Sequence, residues 1–164
     1  MIPRAVFLSI HPVHGRRILA GTKTHELRRR PPRQMEAALL VLYLTSPVRA
    51  VVGVARIGSL ITGEPGMIWD RVSTGASLSR DSFERYFAGV REGGALEIAD
   101  AVALDQAVPL ASLRSLWPGF SPPQSFRYLY DVPEAEGLVL ETPWGSLSLA
   151  PGSRHPSPAL SAAK

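Results

Sequence analysis

Two long β-prone runs, "AALLVLYLTS" (37–46) and "VRAVVGVARIGSLIT" (48–62), stand almost end to end, with Pro47 between them. Both are dominated by Val, Leu and Ile, which favour a pleated, half-buried surface. A connection this short brings two strands together as an antiparallel pair, because a parallel return needs a crossover of a dozen residues or more. Gly53 and Gly58 inside the second run predict bulges or bends, the devices by which a sheet curls.

The remaining segments arrange themselves around that pair. "AVFLSI" (5–10) reads as a buried strand ended by His11-Pro12. Pro12 suits a first helical position, and Gly21 closes the short helix that follows. "THELRRR" alternates, with Thr24, Glu26 and Arg28 on one face of a strand and His25, Leu27 and Arg29 on the other, until Pro31-Pro32 stops it. "GEPGMIWDRVS" and "SLSRDSFERYFAG" predict two helices, the second with Ser79 as N-cap, an apolar face of Phe83, Tyr86 and Phe87 assigned to the core, and Gly89 as its stop. Strands are expected again over 95–110, 121–132 and 137–150, with a helical turn after the first and a hairpin at Pro143-Trp144-Gly145. In the fourth of these late segments Phe126 and Tyr128 read as core. This order predicts an α+β fold: a small, curled, mostly antiparallel β-barrel with short helices at its openings.

The chain has 164 residues, 45% apolar and 20% charged, which fits one globular domain. That domain is expected over 1–150, and "PGSRHPSPALSAAK" (151–164), rich in Pro, Ser and Ala, is expected to be a disordered tail. No apolar run is long enough for a membrane span, and the apolar N-terminal stretch is cut short by His11 and Pro12, as a strand and not as a signal peptide. There is no cysteine, and a cytoplasmic protein is the expectation.

Charge is unevenly placed. Residues 1–33 hold eight Lys or Arg against Glu26 alone, a net of +7, whereas the whole chain is +4. A positive field concentrated at one end draws polyanions, and nucleic acid is the partner it favours.

The sequence contains no GxxxxGK[ST], GxGxxG, HExxH or GxSxG motif, so no cofactor is expected. His11 and His14, three apart, find only His25 as a third nitrogen, and no metal site is expected. Attention therefore falls on "GTKTHELRRR" (21–30). As a binding set, Arg28 clamps a phosphate or base edge, Lys23 adds a point charge and Glu26 accepts from an exocyclic amino group. As a catalytic set, a partly buried Lys23 moves protons while Glu26 orients water. As neither, it is an exposed edge strand kept soluble by charge. Spacing alone leaves all three open.

The segment "LSIHPVHGRRILAGTKTHELRRR", with a G-x-K-x-x-E-x-R core at Gly21, Lys23, Glu26 and Arg28, resembles the signature of the ASCH domain family within the PUA-like superfamily. The resemblance continues through "YLTSPVRAVVG", "LSRDSFERYFAG" and "PPQSFRYL", covering about residues 4–130 in order. It implies a PUA-like barrel with a cleft beside the first helix that accepts RNA or a modified nucleoside or nucleotide, in a regulatory setting. It also implies that His11, Lys23, Glu26, Arg28, Tyr43, Thr45, Ser46, Gln124 and Ser125 line or border that cleft. Some family members hydrolyse N4-acetylcytidine with a Lys and, three residues later, a Thr; here that place holds Glu26. Others are ribonucleases. The resemblance therefore implies a binding module first and a hydrolase, with Lys23 and Glu26 as its catalytic residues, second.

Overall fold

The structure is a computed structural model that describes residues 2–34 and 39–152. Its elements run β1 (Ala5–Ile10), α1 (Pro12–Leu19), β2 (His25–Arg28), β3 (Leu39–Leu44), β4 (Ala50–Gly63), α2 (Pro65–Val72), α3 (Arg80–Tyr86), β5 (Gly93–Pro109), α4 (Leu110–Leu116), β6 (Phe126–Asp131), a 3-10 turn (Glu134–Glu136), β7 (Leu138–Thr142) and β8 (Gly145–Pro151). The eight strands form one sheet in the order β2-β5-β4-β3-β1-β6-β8-β7. Every neighbouring pair is antiparallel except β1 with β3. This is an α+β fold whose hydrogen-bonded ladder, among the described residues, is open at β2 and β7 and does not close into a ring.

The expected pair is β3 with β4, joined through a turn that contains the cis Ser46-Pro47 bond. Its register shifts between Leu42 and Tyr43, and the β4–β5 register shifts at Val51/Gly53 and between Ile57 and Leu60, around both glycines. Gly53 leaves no room for a side chain: a Cβ there would lie 2.6 Å from Leu19 Cδ2 and 2.8 Å from the Val102 carbonyl oxygen.

These bends let one sheet enclose two cores. Ala5 and Phe7 of β1 face a cluster with Val54, Leu113, Phe120, Leu140 and Leu149, so β7, β8 and α4 fold over one side. Val6, Leu8 and Ile10 face the opposite cluster, with Leu42, Leu96 and Ile18 of α1. A strand covered on both faces needs an unbroken apolar run, which is what "AVFLSI" supplies. A third cluster packs Ile68, Val72, Phe83 and Phe87 of the α2–α3 region against Leu27 and Ala95, pinning β2 under the helices.

Two expectations are corrected. The strand expected over 121–132 is confined to Phe126–Asp131, since Pro122 and Pro123 cannot donate to a ladder. Pro151, expected to open a disordered tail, ends β8 opposite Leu129; residues 153–164 of that segment lie outside the described residues, as do 37 and 38 of the expected third strand. The late hairpin forms as expected, with Thr142 Oγ1 donating to the Gly145 carbonyl at 2.7 Å and Gly145 at φ +119°.

Gly53→Ala is expected to destabilise the protein by about 1–3 kcal/mol, because a backbone carbonyl cannot move aside for the new methyl group. A denaturant melt with an unchanged midpoint would contradict this account of β4.

Candidate functional site

Among the described residues four polar side chains are buried, Ser9, Lys23, Glu26 and Arg28, and all four line one cleft of about 660 Å³. Buried polar groups are costly unless partnered, so their gathering at one place marks it out.

Local structure explains how they meet. Gly21, at φ +77°, turns the chain sharply at the end of α1, and the amides of Thr22 and Lys23 both donate to the Arg17 carbonyl, at 3.0 and 3.1 Å. The next two amides, of Thr24 and His25, donate to the Gly75 carbonyl. The link is thus clamped between α1 and the loop before α3, and Lys23 is held inside with 2% of its surface exposed. β2 then pairs with β5, and alternation sends Glu26 and Arg28 to the cleft and Leu27 to the helices.

Glu26 sits between two cations. Its Oε1 lies 2.9 Å from Arg28 Nη2 and its Oε2 lies 3.6 Å from Lys23 Nζ. Lys23 Nζ also donates to the Ala76 carbonyl at 2.7 Å. Arg28 ties the site to β1 and to the segment before β6: Nη2 donates to Ser9 O at 3.0 Å, and Nη1 donates to Ser125 Oγ at 3.3 Å. Two positive charges against one negative leave this buried group with a surplus positive charge.

Three polar atoms at the cleft have no hydrogen-bond partner although they are buried: Ser9 Oγ, His14 Nδ1 and Arg28 Nε. Desolvation lowers the pKa of Lys23 below the ordinary lysine value, against the pull of Glu26, and Arg17 and Arg28 lower it further. Desolvation also lowers His14, with the charge of Lys23 adding to the effect. The Tyr86 phenol is raised by burial.

The remaining walls come from α1 and from the α3 region. His11, His14 and Arg17 contribute one side, and Ser77, Leu78, Ser79, Ser82 and Tyr86 the other. Arg17 Nη1 bridges them by donating to Ser77 O at 3.2 Å. The Tyr86 hydroxyl donates to Leu27 O at 3.0 Å, which fixes its half-exposed ring at the cleft.

No family model matches the chain. An ASCH domain-containing ribonuclease from Zymomonas mobilis is 31% identical over 122 residues, spanning 74% of this chain and 82% of that protein. The chain belongs to the ASCH domain family. The crystal structure of ASCH from Zymomonas mobilis superposes with a TM-score of 0.72 at 30% identity, over 77% of this chain and 88% of that one. A serine-to-alanine variant of the same protein gives a TM-score of 0.74 at 27% identity, over 82% and 92%.

In this ASCH domain the sequence-expected residues divide. His11, Lys23, Glu26 and Arg28 line the cleft, and Ser125 reaches it through Arg28. Tyr43 does not: it is 3% exposed and stacks on Phe7 with ring centroids 5.4 Å apart, because its face of β3 turns into the apolar core. Thr45, Ser46 and Gln124 are outside the lining, Ser46 and Gln124 being exposed. Glu84, a distant carboxylate of the kind the amidase members use, pairs with Arg80 at 3.0 Å on the outer face of α3. Tyr86, assigned from its helical spacing to the core, is a cleft residue instead. Ser9, Arg17 and Ser77–Ser82 carry no local pattern that singles them out; they reach the cleft through contacts distant in sequence. His11 caps α1, its Nδ1 accepting from the Val13 amide at 3.3 Å. Among the described residues no three His, Asp or Glu side chains stand close enough to hold a metal ion.

Glu26→Ala leaves Lys23 and Arg28 buried without a counter-charge and is expected to cost about 3–5 kcal/mol. Glu26→Gln, which keeps the shape and one acceptor, is expected to cost less. Equal denaturation midpoints for wild type and Glu26→Ala would show that the carboxylate does not hold the two cations in place.

Proposed function

We propose that this ASCH domain binds single-stranded RNA, taking an unpaired nucleobase and its phosphate into the cleft. The observation that carries the reading is the buried Lys23–Glu26–Arg28 group with its surplus positive charge and three unpartnered polar atoms around it. Such a floor offers both donors and an acceptor to a planar polar ring and attracts an anion beside it. The fixed ring of Tyr86 at the wall supplies a surface on which a base stacks. Around the mouth, Arg16, Arg17, Arg29, Arg30 and Arg33 are exposed, and they supply the field that draws a phosphate backbone in. Arg29 is also a strap, its guanidinium donating to the carbonyls of Tyr86 and Ala88. The Zymomonas mobilis relative is named a ribonuclease, which supports RNA as the ligand class. The curl of the sheet supports reading it as a PUA-like barrel opened between β2 and β7.

Fluorescence anisotropy with a short unstructured RNA tests the proposal. Affinity is expected to fall steeply with salt, Arg17→Ala to reduce the log–log slope by about one, and Tyr86→Ala to weaken binding by about 1–3 kcal/mol through lost stacking. Affinity that is flat in salt and indifferent to both substitutions would remove RNA binding from consideration.

A further inference from the structure

The group that binding leaves unexplained is His14. It lies one helical turn after His11 on the cleft side of α1, with the two ring centroids 6.2 Å apart. Its Nδ1 is buried and unpartnered, and its Nε2 has no protein partner among the described residues. Structural histidines are ordinarily tied down by at least one ring nitrogen, and this one is tied by neither. Opposite it, Lys23 uses one ammonium hydrogen on Ala76 O and one toward Glu26, which leaves a third for a ligand. The tautomer of His11 is set by the Val13 amide, which donates to Nδ1 and so keeps the ring proton on Nε2, facing out. Arg17 spends Nη1 on Ser77 O and keeps the rest of its fork for an anion at the mouth. One cleft therefore holds a free imidazole, an ammonium with a spare proton and two further donors around the space between them.

We infer that the cleft cleaves RNA by transesterification, with His14 as general base and Lys23 as general acid. This rests on RNA occupying the cleft as proposed above. His14 Nε2 takes the proton of a ribose 2′-hydroxyl, and the 2′-oxygen forms a bond to the adjacent phosphorus. The bond from phosphorus to the 5′-oxygen of the next nucleotide breaks, and that oxygen takes a proton from Lys23 Nζ. The products are a 2′,3′-cyclic phosphate and a 5′-hydroxyl. The proton gained by His14 passes to solvent and Lys23 regains one from it, so none is consumed. His11 Nε2–H and Arg17 donate to the non-bridging oxygens, where negative charge builds in the transition state.

The protonation states required are those the surroundings favour. Burial and then Lys23 depress His14 below 6.5, with His11 and Arg17 acting the same way and Glu26 opposing, so the imidazole is the neutral base at neutral pH. Burial depresses Lys23 below 10.5, again with Glu26 opposing and with Arg17 and Arg28 assisting, which makes its ammonium a stronger acid. Rate is therefore expected to rise as His14 loses its proton below pH 6.5 and to fall as Lys23 loses its own below pH 10.5.

The test incubates the full chain with a short single-stranded RNA in EDTA and reads the fragment ends by mass spectrometry. The same RNA with 2′-deoxyribose throughout serves as the uncleavable ligand. Cyclic phosphate and 5′-hydroxyl ends, no cleavage of the deoxy ligand, and a loss of about 100-fold in kcat at saturating RNA for both His14→Gln and His14→Asn would support the inference. Melting curves identify any variant that fails to fold, and the end chemistry of the wild type needs no variant at all. RNA that binds but stays intact, that yields 3′-hydroxyl ends, or that is cut equally by folded His14→Gln would overturn the inference while leaving RNA binding standing. Failure of both RNA and its deoxy counterpart to bind would instead overturn the reading on which it rests.

Discussion

The carboxylate of Glu26 is the point on which the site depends. It is almost fully removed from water, and it is tolerable there because a guanidinium and an ammonium approach it from two sides. Neither cation would be stable at that depth alone. Their attraction to Glu26 holds Arg28 against β1 and Ser125, and holds Lys23 against the loop that carries Ala76. Because two cations share one carboxylate, the group as a whole remains positive. A simple buried ion pair would be sealed and inert; this one faces a cleft with charge left over.

The architecture is arranged around the need to bring three remote stretches to that carboxylate. β1 and α1 deliver Ser9, His11, His14 and Arg17, β2 delivers the charged set itself, and the chain between β4 and β5 delivers Ala76, the serines and Tyr86. Close approach is what makes the convergence work. Gly15 lets α1 lie directly on Leu44, where any Cβ would collide with the leucine side chain. Gly75 leaves its carbonyl free to take the amides of both Thr24 and His25, since a side chain there would meet those two residues. Gly53 allows Leu19, at the end of α1, to reach β4.

Much of this was legible in the chain. The β3–β4 pair, the glycine bends, the Ser79 cap and the alternation of β2 all follow from local rules, and the structure has them. So were Lys23, Glu26 and Arg28, because period two places Glu26 and Arg28 on one face and the glycine-terminated helix sets Lys23 just before them. The rest was illegible for identifiable reasons. Tyr43 looked like a rim residue, but the register shift beside it and the ring of Phe7 draw it into the core. Tyr86 looked like core because it shares a helical face with Phe83 and Phe87, yet its hydroxyl finds the Leu27 carbonyl and its ring stays at the cleft. Arg29 looked like a solvated rim charge, and it instead binds the end of α3.

The sequence by itself determined the elements, the membership of the ASCH domain family and the charged trio, since propensity, alternation and turn chemistry act over a few residues. Only the tertiary structure decided that the trio is buried, that Ser9, His14 and Tyr86 share its cleft, and that the sheet stays an open ladder. Those outcomes depend on contacts between residues tens of positions apart, such as Lys23 with Ala76 and Arg28 with Ser125. Hydrogen bonding and desolvation act through space, and no local pattern in the chain encodes which distant groups they will join.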